Sequence, residues 1–151
     1  MALVIHQSER VDAPASTVWS VVTDLAAYGA WNAFVVACSS TLAVGDPIDM
    51  RVKIFGEFAQ SQRETVFEHE PGVRLCYGLA PGPTGAIASR RSHEVRAVSD
   101  GACEYVSHFE LRGWASPLVA LSMGGRLRGG FESMTAALCR RAVTLAAQPR
   151  P

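Results

Sequence analysis

The sequence holds 151 residues, 48% of them apolar and 19% charged, and its formal net charge is zero. That length suits one domain with its own core, and that composition is globular rather than disordered. Zero net charge argues against nucleic acid as a partner, because a basic face is the usual footprint there.

The N-terminus, MALVIHQSER, lacks the charged n-region of a signal peptide, and no apolar run reaches membrane-spanning length. The four cysteines (Cys38, Cys76, Cys103 and Cys139) form no CxxC pair. They are expected as reduced thiols of a cytoplasmic protein, not as a disulfide framework or zinc ligands. Near-neutral charge leaves a homodimer open.

In chain order, residues 3–11, LVIHQSERV, read as a strand. In DAPASTVWSVVTDL, Pro14 suits a first helical turn, where its missing N–H costs nothing. Val18, Val21, Val22 and Leu25 follow at helical spacing. DLAAYGAWNAFV continues into a second, shorter helical piece, with Tyr28, Trp31 and Phe34 three apart. These helices are expected across the open end of a sheet, with Trp31 and Phe34 as a plug and Tyr28 nearer solvent.

After residue 35 the period becomes two. In PIDMRVKIF, Ile48, Met50, Val52 and Ile54 alternate with polar residues, as in a strand with one wet face. SQRETVFEHE and VRLCYGL read as further strands, the second with Leu75 and Tyr77 on one face. APGPTGAIAS is a loop. RRSHEVRAV puts His93, Val95 and Ala97 on one face, and CEYVSHFELRG puts Cys103, Tyr105, Ser107, Phe109 and Leu111 on one face, with His108 opposite. Residues 115–147 form a long helix, with Ser116 as its cap, Pro117 in its first turn, and an apolar stripe of Phe131, Met134, Leu138 and Leu145. Gly124, Gly125, Gly129 and Gly130 imply a break there or a very close neighbour. Residues 1–147 form one domain and 148–151 a disordered tail.

The order is strand, two helices, about six strands and a long helix. A sheet with one wet face needs a cover on the other, and only the C-terminal helix is long enough. A curved sheet wrapped on one helix leaves a gap, and an apolar gap is a ligand pocket.

The phrases VDAPASTVWSVVTDLAAYGAWNAF, AVGDPIDMRV, EPGVRLCY, HEV, LRGWASPL and FESMTAALCRR, in this order, resemble the START-related SRPBCC superfamily and within it the polyketide cyclase/dehydrase group. The resemblance implies an α+β helix-grip fold: a seven-stranded antiparallel sheet gripping a C-terminal helix, with two small helices closing one end. Members bind hydrophobic ligands, and some catalyse cyclisation, aromatisation or dehydration. Relatives often have proline where Gly29 and Ala33 stand, a histidine at the position of Ser107, and a tryptophan at that of Tyr77.

The ligand-binding set expected on the concave face is Trp31, Phe34, Met50, Val52, Tyr77, His93, Val95, Tyr105, Ser107, Phe109, Phe131 and Met134. His93 is the candidate base for a proton alpha to a carbonyl, or else a wall histidine satisfied by neighbours. Tyr77 and Tyr105 are candidate donors to an oxyanion, or simply packed rings. Arg90 and Arg91 read as a solvated pair, or as a clamp for a carboxylate or phosphate. Asp24 has no second carboxylate to form a dyad with.

The histidines lack metal-ligand spacing, and no dinucleotide, P-loop or nucleophile-elbow motif occurs, so no cofactor is expected. The function expected is binding of a hydrophobic or aromatic small molecule. The alternatives are a cyclase, aromatase or dehydratase without redox cofactor, and a non-catalytic interaction module of the co-chaperone kind.

Overall fold

A computed structural model describes residues 3–149, so the last two residues of the expected tail lie outside the described residues. Strand β1 (Leu3–Val11) leads into helix α1 (Ala15–Thr23), a 3-10 turn (Leu25–Ala27) and the single turn of α2 (Tyr28–Trp31). Six strands follow: β2 (Val35–Ser40), β3 (Pro47–Phe55), β4 (Phe58–Glu70), β5 (Arg74–Gly78), β6 (Ala88–Ser99) and β7 (Ala102–Arg112). Helix α3 (Ser116–Ala146) ends the fold.

All seven strands join one antiparallel sheet in the order β1-β7-β6-β5-β4-β3-β2. Strands β2 to β7 are a meander, and β1 closes on β7. This is the helix-grip fold. The strand period explains the two faces. Ile48, Met50 and Val52 of β3 are buried, while Arg51 between them is exposed. On β7 the alternate residues Cys103, Tyr105, Ser107, Phe109 and Leu111 are all buried. The register sets Arg91 opposite Phe109, His93 opposite Ser107 and Val95 opposite Tyr105, which brings these side chains onto the concave face in ranks.

Helix α3 lies along that face. Its Leu127, Phe131, Met134, Leu138 and Ala142 recur at helical spacing and are buried, each large side chain stabilising the fold by about 1.5–3 kcal/mol. The helix runs unbroken through its glycines. Gly130 is there because the Phe34 ring packs onto the helix backbone: a Cβ at that position would lie 2.3 Å from the ring.

Several expectations change. Ser116 does not cap α3, because the helix begins at that residue and Ala115 occupies the cap position. Strand β2 was not legible as a strand, its six residues VVACSS being short and without clean alternation. Ala97 is exposed, because the β6–β7 register slips between Ala97 and Ser99. Tyr28 is not near solvent: it is 1% exposed, and its hydroxyl donates to the Val22 carbonyl at 2.6 Å. Trp31 instead is half-buried, edge-on to Tyr28. Gly29 admits a close approach, since a Cβ there would meet the Val36 carbonyl oxygen at 2.9 Å.

Candidate functional site

Between the sheet and α3 lies a cavity of about 330 Å³. Its deep walls are the buried Phe34, Val35, Met50 and Val52 on one side and Phe109, Leu111, Leu127, Phe131 and Met134 on the other. The half-buried lining residues are Ile54, Gln60 and Gln62 on the β3–β4 hairpin, Leu79 and Ile87 beside the 80s loop, and Val119 and Met123 on α3. They mark the open side, which therefore lies between the first turns of α3, the β3–β4 hairpin and the 80s loop. Trp31 is not among the lining residues, so it does not plug this opening, and Phe34 is a wall residue braced edge-on by Phe131 at 5.1 Å.

Of the twelve residues expected around a ligand, the structure brings seven to the cavity: Phe34, Met50, Val52, Tyr77, Phe109, Phe131 and Met134. His93, Val95, Tyr105 and Ser107 face the same way but lie one rank deeper, behind Tyr77 and Arg91, and do not line it. The reason is volume. Large aromatic and guanidinium groups on β5 and β6 fill the concave face in front of them.

That deeper rank is a hydrogen-bonded chain. His93 is 0% exposed; its Nδ1 lies 2.6 Å from the Tyr105 hydroxyl and its Nε2 3.0 Å from the Tyr77 hydroxyl. Burial first, then the nearby Arg91 charge, lowers the His93 pKa well below its ordinary value, so the ring is neutral. A neutral imidazole has one donor and one acceptor. The neutral ring can bond both hydroxyls in either tautomer: Tyr105 donates to Nδ1 while Nε2–H donates to the Tyr77 oxygen, or Tyr77 donates to Nε2 while Nδ1–H donates to the Tyr105 oxygen. Both ring nitrogens are engaged in either case. Of the three candidate catalytic residues, only Tyr77 lines the cavity.

Two charged groups missing from the expected site stand in the cavity wall. Arg91 is 3% exposed, in contrast to Arg90, which is exposed on the convex face and ion-paired to Glu68 at 3.2 Å. Strand parity signals this: Arg91 shares the parity of His93, and Arg90 does not. Arg91 Nη1 donates to the Ser107 hydroxyl at 2.6 Å and to the Ser92 carbonyl at 3.3 Å, and the guanidinium lies over the Phe131 ring, 4.8 Å from its centroid.

The other is Glu64 on β4, 7% exposed. Its Oε1 accepts from the Gln62 amide at 2.5 Å, and its Oε2 has no partner. Burial pushes its pKa from 4.5 up to about 7, against the opposing pull of Gln62 and Arg91. The cavity thus holds one carboxylate that the sequence reading, which found no partner for Asp24, did not identify. No sequence signal marked it, because the inward residues of β4 ahead of Val66 are Gln60, Gln62 and Glu64, whose polarity hides the alternation.

Elsewhere, His108 faces outward, its Nδ1 3.0 Å from that of His6. Among the described residues no cluster of three or more His, Cys, Asp or Glu side chains could hold a metal ion, and no helix is long and apolar enough to cross a membrane.

Residues 2–139 match the model of the family described as polyketide cyclase / dehydrase and lipid transport. No curated protein matches the chain. Among solved structures, the Zhui aromatase/cyclase from Streptomyces sp. R1128 superposes with a TM-score of 0.71 at 15% identity, over 97% of this chain and 94% of the other. A START superfamily protein from Mycobacterium smegmatis gives 0.70 at 19% identity, over 94% and 98%. Norcoclaurine synthase from Thalictrum flavum, in complex with dopamine and hydroxybenzaldehyde, gives 0.68 at 17% identity, over 99% and 90%. At these identities the likeness is one of fold.

Proposed function

This chain belongs to the family described as polyketide cyclase / dehydrase and lipid transport, and from that premise we propose that it binds a hydrophobic or aromatic small molecule in the cavity between sheet and helix. The observation that carries this reading is the cavity itself: about 330 Å³, walled by aliphatic and aromatic side chains, with Tyr77, Arg91 and Glu64 as a small set of orienting polar groups. Small-molecule sites are commonly built this way. The same void is the argument against the interaction-module alternative, for which a filled core is the better scaffold.

The test is a titration with the neutral fluorophore N-phenyl-1-naphthylamine. Wild-type protein is expected to bind one equivalent with enhanced emission. Leu127→Trp, which fills the cavity from α3, is expected to lose that site while remaining folded. Absence of binding by wild type, together with no ligand released by solvent extraction of the purified protein, would count decisively against the reading.

A second reading is favoured by one observation, the unpartnered oxygen of Glu64. A carboxyl with a pKa of about 7 is poised to take and return a proton at neutral pH. In the tautomer whose His93 Nε2–H donates to its oxygen, Tyr77, on the neighbouring strand, keeps its hydroxyl proton for a carbonyl oxygen. Together they suit enolisation, the step common to cyclisation and dehydration of carbonyl compounds: Glu64 takes the alpha proton as the C–H pair moves into the enolate, and Tyr77 donates to the enolate oxygen. His93, placed behind the wall, acts here only by orienting Tyr77. The check is deuterium exchange into 2-tetralone in D2O, with an acceleration of about tenfold or more over buffer for wild type and its loss in Glu64→Gln. Exchange at the buffer rate removes the catalytic reading and leaves the binding one.

A further inference from the structure

Arg91 is a buried cation held by one end only. Its Nη1 makes the strong contacts, to Ser107 and to the Ser92 carbonyl. The opposite edge, formed by Nε and Nη2, is nearly unused: Nε has no partner, and Nη2 has only the Met134 sulfur at 3.8 Å. A thioether is a weak acceptor on a flexible side chain, and readily yields to a stronger one. Among the described residues no carboxylate forms an ion pair with Arg91.

The same molecule shows what that edge ordinarily holds. On the outer face, Arg63 uses its Nε and Nη2 to grip Asp49, at 2.6 Å to Oδ1 and 3.0 Å to Oδ2. Two parallel N–H donors at that spacing match the two oxygens of a carboxylate. The Arg91 edge is bounded by Met134 and is carried on the Phe131 ring, and both of those side chains line the cavity. The carboxyl that feels the Arg91 charge, Glu64, makes no ion pair with it and, with a pKa of about 7, is mostly protonated at about pH 6.5, so the buried guanidinium keeps a desolvation cost that an incoming anion would offset.

We propose that the ligand of this cavity is an apolar carboxylic acid, bound as its carboxylate by the Nε–Nη2 edge of Arg91. This deepens the binding reading above and rests on it. The carboxylate displaces the Met134 sulfur, and the apolar body extends along Val52, Leu127 and Met123 towards the open side. Ser107 is a positioning residue in this scheme: by holding Nη1, it leaves the other edge to the Met134 side.

The experiment compares 2-naphthoate with 2-naphthylmethanol, which share a ring system and differ in the polar head. Binding of both is measured calorimetrically at about pH 6.5, where a naphthoate is ionised. Wild type is expected to bind the naphthoate at least about tenfold more tightly than the alcohol. Arg91→Gln is expected to abolish that preference. The Arg91 Nε–H resonance of isotope-labelled wild type should move downfield with naphthoate and not with the alcohol, a readout independent of whether the variant folds. Equal affinities, with no shift of the Nε–H signal, overturn the carboxylate assignment and leave the cavity reading standing. If neither compound binds, both fall together.

Discussion

Glu64 shows how one residue ties the cavity to the stability of the fold. Its carboxyl binds a proton more tightly in the folded chain, with a pKa of about 7, than at its ordinary value of 4.5. Below pH 4.5 the group is protonated in both states and burial costs little. As pH rises through 7 the folded protein must either ionise a buried group or hold a proton the unfolded chain has released, so stability is lost across that window. At about 1.4 kcal/mol per pH unit, the loss approaches about 3 kcal/mol. Glu64→Gln removes this dependence. Urea unfolding of the two proteins at about pH 5 and about pH 8 should show wild type losing stability relative to the variant by that order. An equal pH response in both proteins would place Glu64 in water.

Arg91 and Glu64 also show where reading single residues stops short. Arginine is usually exposed, and residue type alone favours a solvated pair at Arg90 and Arg91. Geometry says otherwise for one of them, since the parity of Arg91 with His93 on β6 already points it inward. For Glu64 no pattern exists to read, because a strand with polar residues on both faces has no visible period.

At the scale of elements, α3 offers a direct comparison between two adjacent glycines. A Cβ added at Gly129 would meet nothing within 4 Å, whereas one on Gly130 would strike the Phe34 ring. Gly129→Ala should therefore stabilise the protein by about 1 kcal/mol through helix propensity. Gly130→Ala should destabilise it, because Phe34 must leave its contact with Phe131. Thermal unfolding of the two variants should move in opposite directions; a gain in both would mean that Phe34 yields freely. The glycines do announce a close neighbour in the sequence, but not which element supplies it. Strands β3, β5, β6 and β7, and the two helices, were legible because period and turn chemistry agree there, and β4 through its flanking turns. Strand β2 was not, since six residues at a sheet edge carry too little pattern. Helix α2 was legible as a helix, yet its orientation, with Tyr28 inward and Trp31 outward, depends on packing against β2.

For the whole molecule, the gap between sheet and helix follows from the order of elements alone: one helix cannot cover the concave face of seven curved strands. Its floor could not be read that way. Whether His93 lies in the wall or behind it depends on the volumes of Tyr77, Arg91 and Phe131 in three dimensions. An apolar ligand in this gap would be reported most directly by the methionine methyl groups, because Met50, Met123 and Met134 line three different parts of the cavity. In protein carrying isotope-labelled methionine methyls, adding 2-naphthoate should shift all three methyl signals together and saturate at one equivalent. Signals that stay in place while the ligand binds elsewhere, or that do not respond at all, would contradict a ligand site between the sheet and α3.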